Sequence, residues 1–230
     1  MSNRKEQLVN NEIYHIILRG VGDLPIFKNK NDYYRCVFSL YSFNDNRPIE
    51  IRKERRLKRK VSGRPTSAKT KKRDKFVEIL AFCLMPNHIH LLLKQVKNDG
   101  ISKFMKKFAT GYAKYFNESY KRMGHLFQGR FRSIHIKNDA QLKVIFNYIH
   151  TNPVSLIDPK WKSEGIKNSK KAVEFIENYK WSSYGDYIGT KNFPSLTDRG
   201  FIIEIIGGTT SCQEVVNDWI NNRKLITKQD

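Results

Sequence analysis

The stretch Ile79-Leu80-Ala81-Phe82-Cys83-Leu84-Met85-Pro86-Asn87-His88-Ile89-His90-Leu91-Leu92-Leu93 decides the fold. Two apolar runs flank Pro86-Asn87, a pair of turn residues, so the spacing predicts a buried β-hairpin with the histidines at the start of its second strand. On a strand, side chains at i and i+2 point to the same face, so both imidazoles project together from the sheet. Polar rings set among Leu and Ile side chains need a compensating partner. A shared metal ion is one such partner, and ordinary core hydrogen bonding is the other.

Outward from this hairpin, Tyr14-His15-Ile16-Ile17-Leu18-Arg19 reads as a strand ended by Gly20-Val21-Gly22-Asp23. Asn31 or Asp32 is the expected cap of a helix from Tyr33 to about Phe43. After the hairpin, Phe104, Met105, Phe108, Tyr112, Tyr115, Phe116 and Tyr120 recur at three- and four-residue steps, which predicts a helix over about Ser102 to Lys121 with most of these aromatics in the core. The segment from Met123 to Arg132 alternates glycine, aromatic and arginine residues and is expected to be a loop entering a short strand. Aromatics between arginines suit stacking on unpaired bases and contacts to phosphates; a glycine turn with surface arginines is the plainer alternative. A further helix, capped by Asn138 or Asp139, runs from Ala140 to about Thr151 and meets Pro153. Its residues Gln141, Val144, Ile145, Tyr148 and Asn152 lie along one face if the helix persists that far. Pro153 leaves a second possibility, with Asn152 as an N-cap and the proline at the first position of a new helical turn.

Composition narrows the partner. Of 230 residues, 43 are Lys or Arg and 22 are Asp or Glu, a net charge of +21 that points to a polyanion, most simply nucleic acid. An anionic membrane surface ranks well below, since no amphipathic anchor is evident and no run approaches the roughly 20 apolar residues of a membrane span. Residues 52–75 carry 13 Lys or Arg against Glu54 and Asp74 and almost no apolar residues. They read as a basic insertion, either solvated or settling onto phosphates. Cys36, Cys83 and Cys212 form no paired spacing, and Met1 to Gln7 lead into no signal-type segment, so the expected setting is a reducing cytoplasm.

Four strings in order, MPNHIHLLL (85–93), GHLFQGRFRS (124–133), NYIHTNPV (147–154) and WSSY (181–184), resemble the single-tyrosine HUH transposases, with the REP-associated tyrosine transposases as the nearest in kind. The resemblance runs from about Tyr14 to Tyr187 and covers the tail from Phe193 less surely. It implies an α+β fold with a central antiparallel sheet flanked by helices, of the ferredoxin/RRM-like HUH endonuclease kind. The transposase domain would span 13–190 with the basic insertion 52–75, followed by a C-terminal helical extension over 191–230. It implies that His88 and His90 hold a divalent ion, Mg²⁺ or Mn²⁺, that Asn152 completes the metal site, and that Tyr148 is the nucleophile. Arg130, Phe131 and Arg132, together with Arg55, Arg56, Lys58, Arg59 and Lys60 of the insertion, are the expected DNA contacts. The implied activity is cleavage and rejoining of single-stranded hairpin or palindromic DNA through a 5′-phosphotyrosine bond, in a prokaryotic cytoplasm at the nucleoid. A homodimer and a monomer are both open. A non-catalytic nucleic-acid-binding protein of the same fold is the alternative, and a hydrolytic metal nuclease a third.

The chemistry bears on this independently. A phenol, with an ordinary pKa of about 10, attacks poorly at neutral pH unless its proton is lost or its target is made more electrophilic. A divalent ion held by the two histidines would do the second. Tyr112, Tyr115 and Tyr120 compete by residue type, and His15, His125, His135 and His150 are further ligands only by type.

Overall fold

The computed structural model describes residues 7–48 and 73–226, with side chains placed as far as residue 222. Arg55, Arg56, Lys58, Arg59 and Lys60 therefore lie outside the described residues.

Strands β1 (Ile13–Arg19), β2 (Val77–Met85), β3 (His88–Gln95) and β4 (Arg132–Ile136) form one antiparallel sheet in the order β2-β3-β1-β4. The predicted hairpin is present, with Pro86-Asn87 joining β2 and β3. Its strands read as continuous apolar runs because helices cover both faces, which removes the in-out alternation of a half-exposed sheet. A bulge between Ile79 and Ala81 in β2 turns Leu80 and Ala81 to the same side.

One face carries Tyr14, Ile16 and Leu18 of β1 with Ile89, Leu91 and Leu93 of β3. Helices α1 (Lys30–Phe43) and α2 (Gly100–Tyr120) pack on it. They approach closely where a Cβ on Gly111 would meet the Phe43 ring at 2.4 Å. The cap of α1 differs from the expected one: Asn29, not Asn31 or Asp32, is the N-cap, and Asp32 closes a reciprocal capping box with it. Asp32 is fully buried because it does more than cap. Its two oxygens also accept the hydroxyls of Tyr115 at 2.9 Å and Tyr120 at 2.7 Å. Tyr112 donates to the Ile26 carbonyl at 2.7 Å. The competing tyrosines are thus hydrogen-bonded members of this layer.

The opposite face carries His15 and Ile17 of β1 and His88, His90 and Leu92 of β3. Helix α3 (Asp139–Thr151), capped by Asn138, buries Leu142, Phe146 and Ile149 against it. A 3-10 turn (Asn152–Leu156) leads into the short α4 (Trp161–Glu164), then α5 (Ser169–Glu177), α6 (Tyr184–Tyr187), α7 (Gly200–Ile206) and α8 (Thr209–Ile226). Ile202 of α7 and Cys212, Val216 and Ile220 of α8 are buried in the same core as α3.

The string Trp181-Ser182-Ser183-Tyr184 has a structural job. The Leu84 N–H donates to the Trp181 carbonyl at 2.8 Å, and the Phe82 N–H donates to Ser183 Oγ at 3.0 Å. It thereby covers the outer edge of β2, which would otherwise present unpaired backbone groups. No helix among the described residues is long and apolar enough to cross a membrane.

Candidate active site

β3 sets His88 opposite Arg19 and His90 opposite Ile17 of β1, all on the face covered by α3. From α3, Tyr148 and Asn152 reach back one helical turn apart. Asn152 keeps helical angles (φ −52°, ψ −37°) and donates its N–H to the Tyr148 carbonyl, so the helix face persists to it. The reading of Asn152 as an N-cap is overturned: Thr151 precedes the 3-10 turn, and Pro153 enters at a position where a missing N–H costs least. The Tyr148 ring lies edge-on to His90 with centroids 5.6 Å apart, and His88 and His90 are 4.8 Å apart.

These residues line a cleft of about 510 Å³ with Ile17, Arg19, Gln128, Arg130, Arg132, Ser155 and Lys162. His90 and Asn152 form its buried floor, and Tyr148 and His88 are half-buried above them. Four cationic side chains and no carboxylate line it, which suits a phosphate. Arg19 also pairs with the exposed Asp23 at 2.7 Å.

Hydrogen bonds fix how the rings are presented. His88 Nδ1 meets Asn87 Oδ1 at 2.6 Å; since that oxygen can only accept, the Nδ1 proton is donated and Nε2 is left with a lone pair. His90 Nε2 lies 3.1 Å from Asn152 Nδ2, and its Nδ1 lies 2.8 Å from His15 Nε2. Burial lowers the pKa of His88 to about 4, helped by the positive charges of Arg19 and Lys162. Burial likewise pushes His15 down to about 4 and His90 well below the ordinary value, the latter helped by the neighbouring imidazoles. All three rings are neutral at pH 7, the form in which imidazole binds metal.

Lys162 is the residue that sequence reasoning missed. Its Nζ is 3.1 Å from the Tyr148 hydroxyl, 3.3 Å from Asn152 Oδ1 and 4.8 Å from the centre of the Tyr148 ring. Position is supplied by the neighbouring Trp161, which is fully buried and anchors α4. Truncating such a side chain costs about 3–5 kcal/mol, so the anchor is firm. The only local signal was a tryptophan in a lysine-rich segment, and nothing in it pointed to Tyr148.

The other sequence candidates sort clearly. His15 is brought against His90. His150 is fully buried, facing Ser183 Oγ at 2.8 Å and held near pKa 3 by burial. His135 bonds Glu12 at 2.8 Å, and His125 is exposed on the 123–131 loop, outside the cleft. Arg130 and Arg132 line the cleft, because the Gln128 N–H pairs with the Arg19 carbonyl and extends the sheet at that point. The expectation of base-stacking aromatics in this loop is corrected for Phe127, which is buried in the core. Phe131 is half-buried and, with Arg130, lines a groove beside α2. Among the described residues no three His, Cys, Asp or Glu side chains are grouped so as to hold a metal ion, and Asn152 is the polar side chain that stands beside His90 Nε2.

Residues 50–152 match the sequence profile of the family described as IS200-like transposases. That span carries His88, His90, Tyr148 and Asn152; His15 and Lys162 lie outside it. No curated protein matches the chain. Among solved structures, one of the REP-associated tyrosine transposase bound to a REP hairpin is similar with a TM-score of 0.48 and 14% identity, over 84% of this chain and 90% of that one.

Proposed function

Taking residues 50–152 as a stretch of IS200-like transposase, we propose that the protein cuts and rejoins single-stranded DNA, with Tyr148 as nucleophile and a divalent cation at His88 and His90. The observation that carries this reading is the convergence of Tyr148 and Asn152 from α3 onto the strand face that bears both histidines, inside a cationic cleft. Hairpin or palindromic DNA is the proposed substrate. Arg130 and Arg132 are the proposed phosphate contacts, Phe131 the proposed contact to a base, and Arg55, Arg56, Lys58, Arg59 and Lys60 further contacts from the insertion.

The donor set fits Mg²⁺ or Mn²⁺. Two neutral imidazoles offer Nε2, and Asn152 offers Oδ1 once its amide turns over from the present arrangement, in which Nδ2 faces His90. Bound there, the ion would supply positive charge that polarises the scissile phosphate.

The chain's own residues do the rest. Arg19, Arg130 and Arg132 hold the phosphate backbone at the mouth. Tyr148 Oη gives up its proton to solvent and attacks phosphorus, the bond to the 3′-oxygen breaks, and that oxygen takes a proton from solvent to leave as a 3′-hydroxyl. The 5′-phosphotyrosine bond retains the energy for a second 3′-hydroxyl to attack and rejoin strands. Lys162 Nζ donates to Oη throughout and stabilises the phenolate that forms as the Oη proton departs.

Lys162→Met should therefore slow cleavage about tenfold, since a charge-assisted hydrogen bond at an exposed position is worth the lower end of its range. Lys162→Arg should keep most of the rate. Single-turnover cleavage measures both, and a Met variant at the wild-type rate would remove Lys162 from the reaction.

The test of the reading itself is a denaturing gel with end-labelled hairpin DNAs and Mn²⁺ or Mg²⁺. A metal-dependent protein–DNA adduct is expected. Binding without any adduct, across varied hairpins, would instead favour the non-catalytic binder.

A further inference from the structure

We infer that His15 is the positioning residue that sets the tautomer of His90 and so determines whether His90 can serve as a metal ligand; this rests on the metal site proposed above. The two strand histidines need the same thing, a proton held on Nδ1 so that Nε2 keeps its lone pair. His88 obtains it locally, from the turn residue Asn87, whose Oδ1 is 2.6 Å from Nδ1. His90, two residues further along the strand, obtains it from the neighbouring strand β1. His15 Nε2 lies 2.8 Å from His90 Nδ1, with the two rings stacked at 5.1 Å and inclined by 21°.

Only two proton arrangements satisfy this contact. In one, His90 Nδ1–H donates to His15 Nε2, and His90 Nε2 is free to accept from Asn152 or bind a metal. In the other, His15 Nε2–H donates to His90 Nδ1, and His90 carries its proton on Nε2, facing the cleft and unable to ligate. Asn152 Nδ2, a donor 3.1 Å from His90 Nε2, matches the first, and in it His15 Nε2 is the acceptor that holds the proton on Nδ1.

That arrangement has a visible cost. With Nε2 accepting, His15 must carry its proton on Nδ1, and that atom is buried without a partner among the described residues. His15 is 1% exposed and is not part of the cleft lining. Its Nε2 is committed to His90, so it is not itself a third ligand. A buried imidazole with one nitrogen unpartnered is explained by what its other nitrogen does. Partners of this kind, which orient a ligand from behind, typically change metal affinity 10–100-fold when removed.

The experiment compares wild type, His15→Leu and His15→Gln. Mn²⁺ affinity is read from the electron paramagnetic resonance signal of free Mn²⁺, and the His90 tautomer from ring nitrogen chemical shifts in metal-free protein. Wild type should show His90 protonated on Nδ1. His15→Leu should lose that preference and bind Mn²⁺ about 10–100-fold more weakly. His15→Gln, whose Oε1 can accept the same proton, should recover the Nδ1 tautomer and most of the affinity. Melting temperatures separate packing from positioning, because Leu fills the ring's space without accepting a proton. An Nε2-protonated His90 in wild type overturns the inference even if metal binds. So does wild-type Mn²⁺ affinity in folded His15→Leu, or a folded His15→Gln no better than His15→Leu. Wild type that binds no Mn²⁺ overturns the metal site and this inference together.

Discussion

Tyr148→Phe should abolish the covalent protein–DNA adduct and lower cleavage by at least about 10³-fold, the scale seen when a nucleophile is removed. The substitution keeps the ring and its edge-on contact with His90, so fold and cleft shape should be unchanged. Hairpin affinity should stay within about threefold, because the arginines at the mouth are untouched. Among the described residues no other tyrosine lines the cleft. Tyr112, Tyr115 and Tyr120 sit on the opposite face of the sheet, with hydroxyls given to the Ile26 carbonyl and to Asp32. Burial, with the Asp32 contact second, pushes the Tyr120 phenol up to about 12, further from the phenolate form. An adduct that survives the substitution would place the nucleophile elsewhere. Cleavage that survives without an adduct would shift the reading to a hydrolytic nuclease using water.

Replacing both His88 and His90 by alanine should remove metal-stimulated cleavage, at least about 10²-fold, while DNA binding in chelator persists. Equal cleavage by wild type and the double variant at every metal concentration would dismiss the site. The same variant carries a pH signature. His15 and His88 have pKa values held near 4 in the fold by burial, against an ordinary value of 6.5. Between these values the unfolded chain binds more protons than the folded one, so stability is complete above about pH 6.5 and falls as pH drops toward 4. Melting temperature measured across that window should decline in wild type and decline less steeply without His88 and His90. Identical slopes would mean the histidines are not buried in neutral form.

Much of this was legible in the sequence because the relevant signals are local. The apolar strand runs, the Pro86-Asn87 turn and the three- and four-residue aromatic steps are short-range patterns, and each produced the element it predicts. The pairing of His88 with His90 follows from strand geometry alone, and the shared face of Tyr148 and Asn152 from helix geometry, once Pro153 proved to sit second in a 3-10 turn begun by Asn152 rather than to displace it. The cap of α1 was misplaced for a different reason. Asp32 has the chemistry of an N-cap, and what drew it to the third helical position was burial beneath Tyr115 and Tyr120, more than 80 residues away. Phe127 was drawn into the core in the same way, by packing that composition does not reveal.

By itself, then, the sequence determined the main elements, the histidine pair, the place of Tyr148 on its helix and the basic character of the chain, because each depends on residue type and spacing within a single strand, helix or segment. Only the tertiary structure decided what stands around them. Lys162 reaches Tyr148 across a chain break in helicity because the fully buried Trp161 anchors it. His15 meets His90 because β1 lies beside β3 in the sheet, although 75 residues separate them in sequence. Contacts of that range are set by the packing of whole layers, and no local pattern in the chain encodes them.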